Sequence, residues 1–242
     1  MKHEDLTMLL LRRCARARNP FRHFLLGLHV QQQRLHAQWL EHGTAWSKRA
    51  LDIAGSLLLL ALASPLLLVL AVLIKLEDGG PIFFSQVRVG QDGREFKMYK
   101  VRSMCLGAEQ HLANLLDKNK HRDGVTFKIK DDPRVTRVGK WLRKFSFDEL
   151  PQLWNVLAGD MSLVGPRPPL PREVAKYSLA DRRRLTVKQG LTCLWQISGR
   201  AEIDFPGQVQ LDVNYIEQQN LWTDLLILTR TIPAVLFGKG AC

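Results

Sequence analysis

The chain has 242 residues, 46% of them hydrophobic, which supplies a core and excludes a disordered polymer. Lys and Arg number 35 against 23 Asp and Glu, a net charge of +12 that fits an anionic partner: nucleic acid, a membrane surface or a phosphorylated substrate. Cys14, Cys105, Cys193 and Cys242 are widely spaced, with no CxxC pair and no histidines at zinc spacing, so they read as reduced thiols facing the cytosol, not as a disulfide framework.

Residues 1–47 form a basic extension in which Arg12, Arg13, Arg16, Arg18 and Arg22 interleave with Leu9 to Leu11, Phe21 and Phe24 to Leu26. The pattern suits either an amphipathic helix on anionic lipid or a partly ordered cationic tail. From Ile53 to Ile74 no residue carries a charge. As one helix that stretch measures about 33 Å, enough to cross a bilayer. It is too long and too far from the N-terminus for a signal-peptide core, and no small-residue cleavage site follows it. Ser64 and Pro65 interrupt its centre, and a proline inside a helix costs about 3 kcal/mol. Two readings follow: a kinked single span in which Ser or a neighbour satisfies the freed carbonyls, or a re-entrant hairpin that dips into one leaflet and returns. Residues 1–52 carry nine basic and four acidic side chains, and residues 75–242 carry 26 and 19, so both flanks look cytoplasmic.

Beyond the apolar stretch, Pro81 to Arg88 reads as a strand, Gly90 to Gly93 as a turn and Phe96 to Val101 as the return strand. Residues 105–122 read as a helix with Leu112, Leu115 and Leu116 on one face. His111 and His121 on it have no partner at metal spacing and are read as solvated. Asp131 and Asp132 precede Pro133 and mark a turn.

The most informative run is Ser146 to Pro168, SFDELPQLWNVLAGDMSLVGPRP. Asp148 and Glu149 stand before Pro151 and an amphipathic segment, which points to a helix entrance, where unpaired N–H groups favour negative charge. Ser146 and Glu149 also fit a capping box, in which Glu149 merely satisfies the backbone. Pro151 weighs against that register, because it would fall inside the helix; a start at Asp148 or Glu149 puts it in the tolerated first turn. Pro166, Arg167 and Pro168 display an arginine on a stiff backbone, suited to a phosphate or a uracil carbonyl. Further on come GLTCLWQISGR, Gly190 to Arg200, and LDVNYIEQQNLWTDLLILTRTI, Leu211 to Ile232.

These blocks, together with YKVRSM at Tyr99 to Met104, resemble the bacterial sugar transferases, the monotopic phosphoglycosyl transferases that begin exopolysaccharide, capsule and O-antigen synthesis on a polyprenyl phosphate. The resemblance runs from about Lys48 to the C-terminus. It implies transfer of a sugar 1-phosphate from a UDP-sugar to undecaprenyl phosphate with release of UMP, at the cytoplasmic face of the bacterial inner membrane and in contact with its lipid. The implied fold is α/β: a small membrane-associated catalytic domain, residues 77–242, with amphipathic interfacial helices, anchored by a re-entrant helix with a Ser-Pro break, residues 48–76. By the same resemblance Asp148 is the nucleophile and a ligand of Mg2+, and Glu149 an acid, base or positioning residue. Arg102, Pro166, Arg167, Pro168, Arg200 and Asp212 are candidates for substrate binding, Asp212 competing with an ordinary charged residue on a helix. Two departures stand out: Gln189 replaces the usual proline and Cys193 the usual glycine, where a positive φ or close approach would strain a cysteine.

A non-catalytic membrane scaffold on this fold, marked by those departures, and a basic nucleic-acid-binding membrane protein are the competing readings. The first is opposed by intact Asp148, Glu149, Arg167 and Arg200. The second is opposed by the lack of a zinc-finger, helix-turn-helix or RNP-like signature, so no nucleic acid partner is expected. A homo-oligomer stays open.

Overall fold

Helix α1 runs from Pro20 to Asp78 and contains Ala45–Asp78, the stretch long and apolar enough to cross a membrane. The computed structural model describes residues 20–110, 132–199 and 203–236, with side chains of α1 from residue 45 onward. The chain divides into two compact units, Met1–Ser47 and Lys48–Cys242. The helix break expected at Ser64-Pro65 does not appear as a change of secondary structure. Pro65 leaves the Ala61 carbonyl without its helical donor, and Ser64 Oγ donates to that oxygen at 2.8 Å. Leu57, Leu58, Leu62 and Leu68 are each more than half exposed, while Leu70 and Ile74 are buried against Val101 and Leu142.

Polar side chains hold both ends of the apolar stretch to the rest of the unit. At its start the Arg49 guanidinium donates to the carbonyls of Val156 (2.6 Å) and Leu157 (2.7 Å), and Asp52 accepts from Leu163 N–H (2.8 Å). At its end Asp78 pairs with Arg102, and Glu77 accepts from Arg137 N–H at 2.8 Å.

Strands β1 (Phe83–Val89) and β2 (Glu95–Val101) form the expected hairpin, antiparallel from Phe83 opposite Val101 to Val89 opposite Glu95. Its turn is a single 3-10 turn, Gln91–Gly93, with Asp92 at φ 55° and Gly93 at φ 80°. The helix expected from residue 105 does not begin there: residues 106–110 form turns, with Gly107 at φ 72°, a conformation that stops helix growth. His111, His121 and Asp131 lie outside the described residues. Asp132 is engaged by its own turn, accepting from Arg134 N–H (3.0 Å) and Nη2 (2.6 Å).

Helix α2 (Arg137–Lys144) is capped by Thr136, whose hydroxyl accepts from Gly139 N–H. Helix α3 (Gln152–Ala158) ends at Gly159, φ 93°. A second, parallel pair joins β3 (Ser162–Val164) to β4 (Gly190–Thr192), with the short helix α4 (Pro171–Val174) and a 3-10 turn at Asp181–Leu185 in the crossover. Helices α5 (Leu194–Ser198), α6 (Phe205–Glu217) and α7 (Leu221–Leu236) follow. Met98, Leu153, Val156, Met161, Leu163, Val164, Tyr215 and Ile227 make the main core. The architecture is therefore mixed α/β, with two two-stranded sheets among the described residues.

Gly165 and Gly190 cross with almost no gap: a Cβ on Gly190 would lie 2.0 Å from Gly165 N, and one on Gly165 2.4 Å from the Lys188 carbonyl. Because both obstacles are backbone, Gly190→Ala is expected to cost roughly 1–3 kcal/mol. That corresponds to a fall in Tm of about 2–4 °C per kcal/mol, readable by calorimetry. An unchanged Tm would mean that β3 and β4 part more easily than their contact implies.

Candidate active site

Asp148 and Glu149 occupy a one-turn 3-10 helix, Phe147–Glu149, between α2 and α3. Ser146 enters it in the left-handed region, φ 57°, and its side chain caps nothing, so the capping box does not form. A non-glycine residue held there costs on the order of 1 kcal/mol, offset here by packing around it. Trp141, Phe145 and Phe147 stack in series, centroids 5.9 and 5.7 Å apart, tying α2 to the turn. Pro151 stands just before the first residue of α3, where its missing N–H breaks no helical bond. The α-helix itself starts at Gln152, later than either start read from the sequence, so both carboxylates lie in the 3-10 turn that leads into it.

Lys100, on β2, stands between them: its Nζ is 3.0 Å from Glu149 Oε1 and 3.8 Å from Asp148 Oδ2. Asp148 is only 8% exposed. Burial raises its carboxyl above the usual range; Lys100 and Arg143 pull against that rise and the Glu149 charge adds to it. Glu149 moves the other way. Burial again raises it, but Lys100, Arg167 and Arg88 together outweigh burial and hold it below the usual value. One carboxylate is firmly ionised and its neighbour is made more basic, a division that sequence spacing could not supply.

Arg167 is half-buried, with its guanidinium 6.0 Å from the Trp195 ring centroid, while Pro166 and Pro168 beside it are buried. Arg88 stiffens this loop from below, donating from Nη1 to the Pro168 carbonyl at 3.0 Å, and Val89 N–H bonds the Pro169 carbonyl at 2.9 Å. Burial and the adjacent Arg167 charge push Arg88 down to about 10. An open cleft of about 1160 Å³ collects Arg88, Lys100, Arg143, Asp148, Glu149 and Arg167 in its wall. The same cleft reaches Leu59 of α1 and Leu228 and Ile232 of α7. Four cations around two acids leave a surplus of positive charge for a multiply charged anion, with apolar wall alongside for a hydrocarbon chain.

The structure thus brings Asp148, Glu149, Pro166, Arg167 and Pro168 together. It places two other candidates differently. Arg102 also reaches the cleft wall, but its guanidinium grips Asp78 through Nη1 (2.8 Å) and Nη2, closing α1 onto β2. Asp212 is fully buried, bound by Arg184 at 2.7 Å from Nε and 2.6 Å from Nη2, and is absent from the cleft wall. Burial pushes its carboxyl up to about 6, although Arg184 draws it down. Arg200 lies outside the described residues. Sequence reasoning missed Lys100, Arg88, Arg143 and Trp195. Lys100 stood inside the quoted YKVRSM block, while Arg88 and Arg143 were indistinguishable from other basic residues until the hairpin and α2 folded.

The two departures are absorbed locally. Cys193 has φ −152°, extended backbone open to any residue, so no positive φ is required of it. Its thiol is buried and pushed well above the ordinary range by burial and by Asp212. Gln189 is fully buried and donates to the carbonyls of Arg184 and Val187, both at 3.0 Å.

Among the described residues no three His, Cys, Asp or Glu side chains gather as a metal cage. Mg2+ at a diphosphate needs no such cage, since one or two carboxylates and substrate oxygens suffice. Asp148 fits that part: Lys100 stands 3.8 Å from its carboxylate, whereas it bonds Glu149 at 3.0 Å.

Residues 43–238 match the family model for bacterial sugar transferases. A galactosyl transferase, CpsE, of Streptococcus agalactiae is 50% identical over 81% of this chain and 43% of its own length. The undecaprenyl-phosphate galactose phosphotransferase of Salmonella typhimurium is 40% identical over 90% of this chain and 46% of its own. The exopolysaccharide production protein ExoY of Sinorhizobium fredii is 42% identical over 81% of this chain and 88% of its own. The chain therefore spans less than half of the first two relatives and most of the third.

Lys100 favours the ionised form of Asp148, so removing it raises that pKa further. In Lys100→Met the acid limb of the pH dependence of turnover is expected to move to higher pH. A limb that stays in place would mean that Asp148 is not the group whose ionisation the limb reports.

Proposed function

We propose, on the premise that the chain belongs to the bacterial sugar transferase family, that it transfers a sugar 1-phosphate from a UDP-sugar to undecaprenyl phosphate as the first membrane step of polysaccharide synthesis. The observation that carries this reading is the pair Asp148 and Glu149 sharing Lys100 in a cationic cleft that opens beside the exposed leucines of α1. The name of the Salmonella typhimurium relative supplies the undecaprenyl phosphate acceptor, and that of a UDP-galactose-lipid carrier transferase of Erwinia amylovora the UDP-sugar donor.

Asp148, buried and raised in basicity, is suited to attack once ionised. One of its oxygens bonds to the sugar-bearing phosphorus while the bond from that phosphorus to the bridging oxygen breaks, and UMP leaves with the electron pair. An oxygen of the lipid phosphate then bonds to the same phosphorus, and the Asp148 oxygen departs with its pair, restoring the carboxylate. Lys100, Arg88, Arg143 and Arg167 offset the repulsion between a carboxylate and a diphosphate. Arg167, held by its two prolines and by Trp195, orients the nucleotide half. Glu149, kept ionised by Lys100, positions the lipid phosphate or takes its proton in the second half-reaction. Mg2+, held by Asp148 when bound, would neutralise diphosphate oxygens.

Residues 77–242 form the catalytic part in this reading, 48–76 the anchor and 1–47 a basic extension. Both ends of the apolar stretch are tied to one body, Arg49 and Asp52 to α3 and β3, Glu77 and Asp78 to α2 and the residue after β2. A helix that left this body to cross a bilayer would have to release one set of contacts. That constraint supports a re-entrant or surface-seated anchor, with the catalytic part on the cytoplasmic face of the inner membrane.

Asp148→Asn is expected to abolish UMP release with undecaprenyl phosphate and a panel of UDP-sugars, and to abolish phosphosugar labelling of the protein; retention of either removes Asp148 as nucleophile. A tag fused at Met1 should stay inaccessible from outside the inner membrane, and labelling of it from the periplasm would overturn the re-entrant reading.

A further inference from the structure

Among the described residues β3 pairs with one strand, β4, so its far edge has backbone groups that no third strand meets there. Helix α1 meets them with side chains. Asp52 Oδ1 accepts from Leu163 N–H at 2.8 Å and from Ser162 Oγ at 2.9 Å. One turn earlier, Lys48 Nζ donates to the Val164 carbonyl at 3.0 Å. Lys48 and Asp52, four residues apart on one helical face, therefore do for β3 what an edge strand would do.

A second set of contacts fixes Lys48 in place. Lys48 Nζ is also 2.6 Å from Asp224 Oδ2, and Tyr215 donates its hydroxyl to Asp224 Oδ1 at 2.8 Å. Asp224 is 1% exposed, Tyr215 1%, Asp52 3% and Ser162 fully buried, so no water competes for these partners. Three residues past the Val164 carbonyl stands Arg167. Between them Gly165 presses on the Lys188 carbonyl, where a Cβ would come within 2.4 Å, so a displacement of Val164 has no slack to disappear into before it reaches the arginine. Beyond Arg167, Arg88 holds the Pro168 carbonyl. The loop is clamped upstream by the anchor helix and downstream by the hairpin.

We infer that Lys48 and Asp52 are positioning residues for the nucleotide side of the reaction: from the membrane helix they set the backbone of β3 and, through it, the place of Arg167. The anchor helix is then part of the active-site scaffold. The inference rests on the assignment of Arg167 to nucleotide binding made above.

The test is equilibrium binding of UDP to the full chain in lipid nanodiscs, read by tryptophan fluorescence and by calorimetry, followed by steady-state kinetics. The variants are Asp52→Ala, Asp52→Asn, and Lys48→Met combined with Asp224→Asn, which avoids leaving a buried charge unpaired. Wild type binds UDP. Asp52→Ala and the double variant bind it about tenfold more weakly, the size of one lost charge-assisted hydrogen bond. Donor KM rises in step while the KM for undecaprenyl phosphate is unmoved, and Asp52→Asn, which keeps an acceptor oxygen, restores most of the affinity. A purely structural role would instead lower the active fraction at unchanged UDP affinity and unchanged donor KM, and that result overturns the inference. Should Asp52→Ala fail to fold, the double variant decides by the same criterion, and Tyr215→Phe, which removes the hydroxyl that donates to Asp224 Oδ1 and so loosens the carboxylate that holds Lys48, decides if both fail. Failure of wild type to bind UDP would overturn the nucleotide reading of the site and the inference with it; wild-type binding with unaltered variants overturns the inference alone.

Discussion

Two carboxylates on adjacent residues, withdrawn from water, repel each other and resist ionisation; something must compensate before the site can exist at all. Here that is Lys100, within 3.8 Å of both acids, with Arg88 and Arg167 behind Glu149 and Arg143 near Asp148. At about 4 Å and an effective dielectric near 20 each Lys100 pairing is on the order of 4 kcal/mol, comparable to the cost of burying the charge. The compensation is uneven by construction. Lys100 donates to Glu149 and only approaches Asp148, so the pair splits into one committed anion and one more basic group.

That asymmetry makes the rest of the fold intelligible. The antiparallel hairpin exists in this chain to carry Arg88 and Lys100 on neighbouring strands under the two acids. Asn155 holds the hairpin to α3, accepting from Tyr99 N–H at 3.0 Å and donating to the Lys97 carbonyl at 2.8 Å, so the strand bearing Lys100 and the helix following Glu149 move together. The strained Ser146 turn and the stacked Trp141, Phe145 and Phe147 aim Asp148 from the third side.

A second buried centre shows how a motif residue can serve at a distance. Arg184 pairs with Asp212, donates to Tyr177 at 3.1 Å and lies over the Phe205 ring, joining the Asp181–Leu185 turn to α6. Gln189 ties the same turn to β4, and Cys193 begins α5 beside it. These contacts shape the platform that presents Trp195 to Arg167, and they accommodate glutamine and cysteine at two motif positions: one donates to the Arg184 and Val187 carbonyls and the other fits an extended backbone.

What the sequence by itself determined were properties that survive without neighbours. The charge-free run at Ile53 to Ile74, the alternation and turn that make the hairpin, the stiffness of Pro166-Arg167-Pro168 and the adjacency of Asp148 and Glu149 are local, and each was legible from residue type and spacing. The motif blocks further carried the family. Only the tertiary structure decided which bases meet which acids, because Lys100 and Glu149 are 49 residues apart and Arg88 and Pro168 are 80 apart, and no spacing rule reaches across those gaps. It moved Asp212 away from the cleft and gave it to Arg184, turned Arg102 towards Asp78, and carried α1 without interruption through Ser64 and Pro65 because a serine hydroxyl was in reach of the carbonyl that the proline had freed.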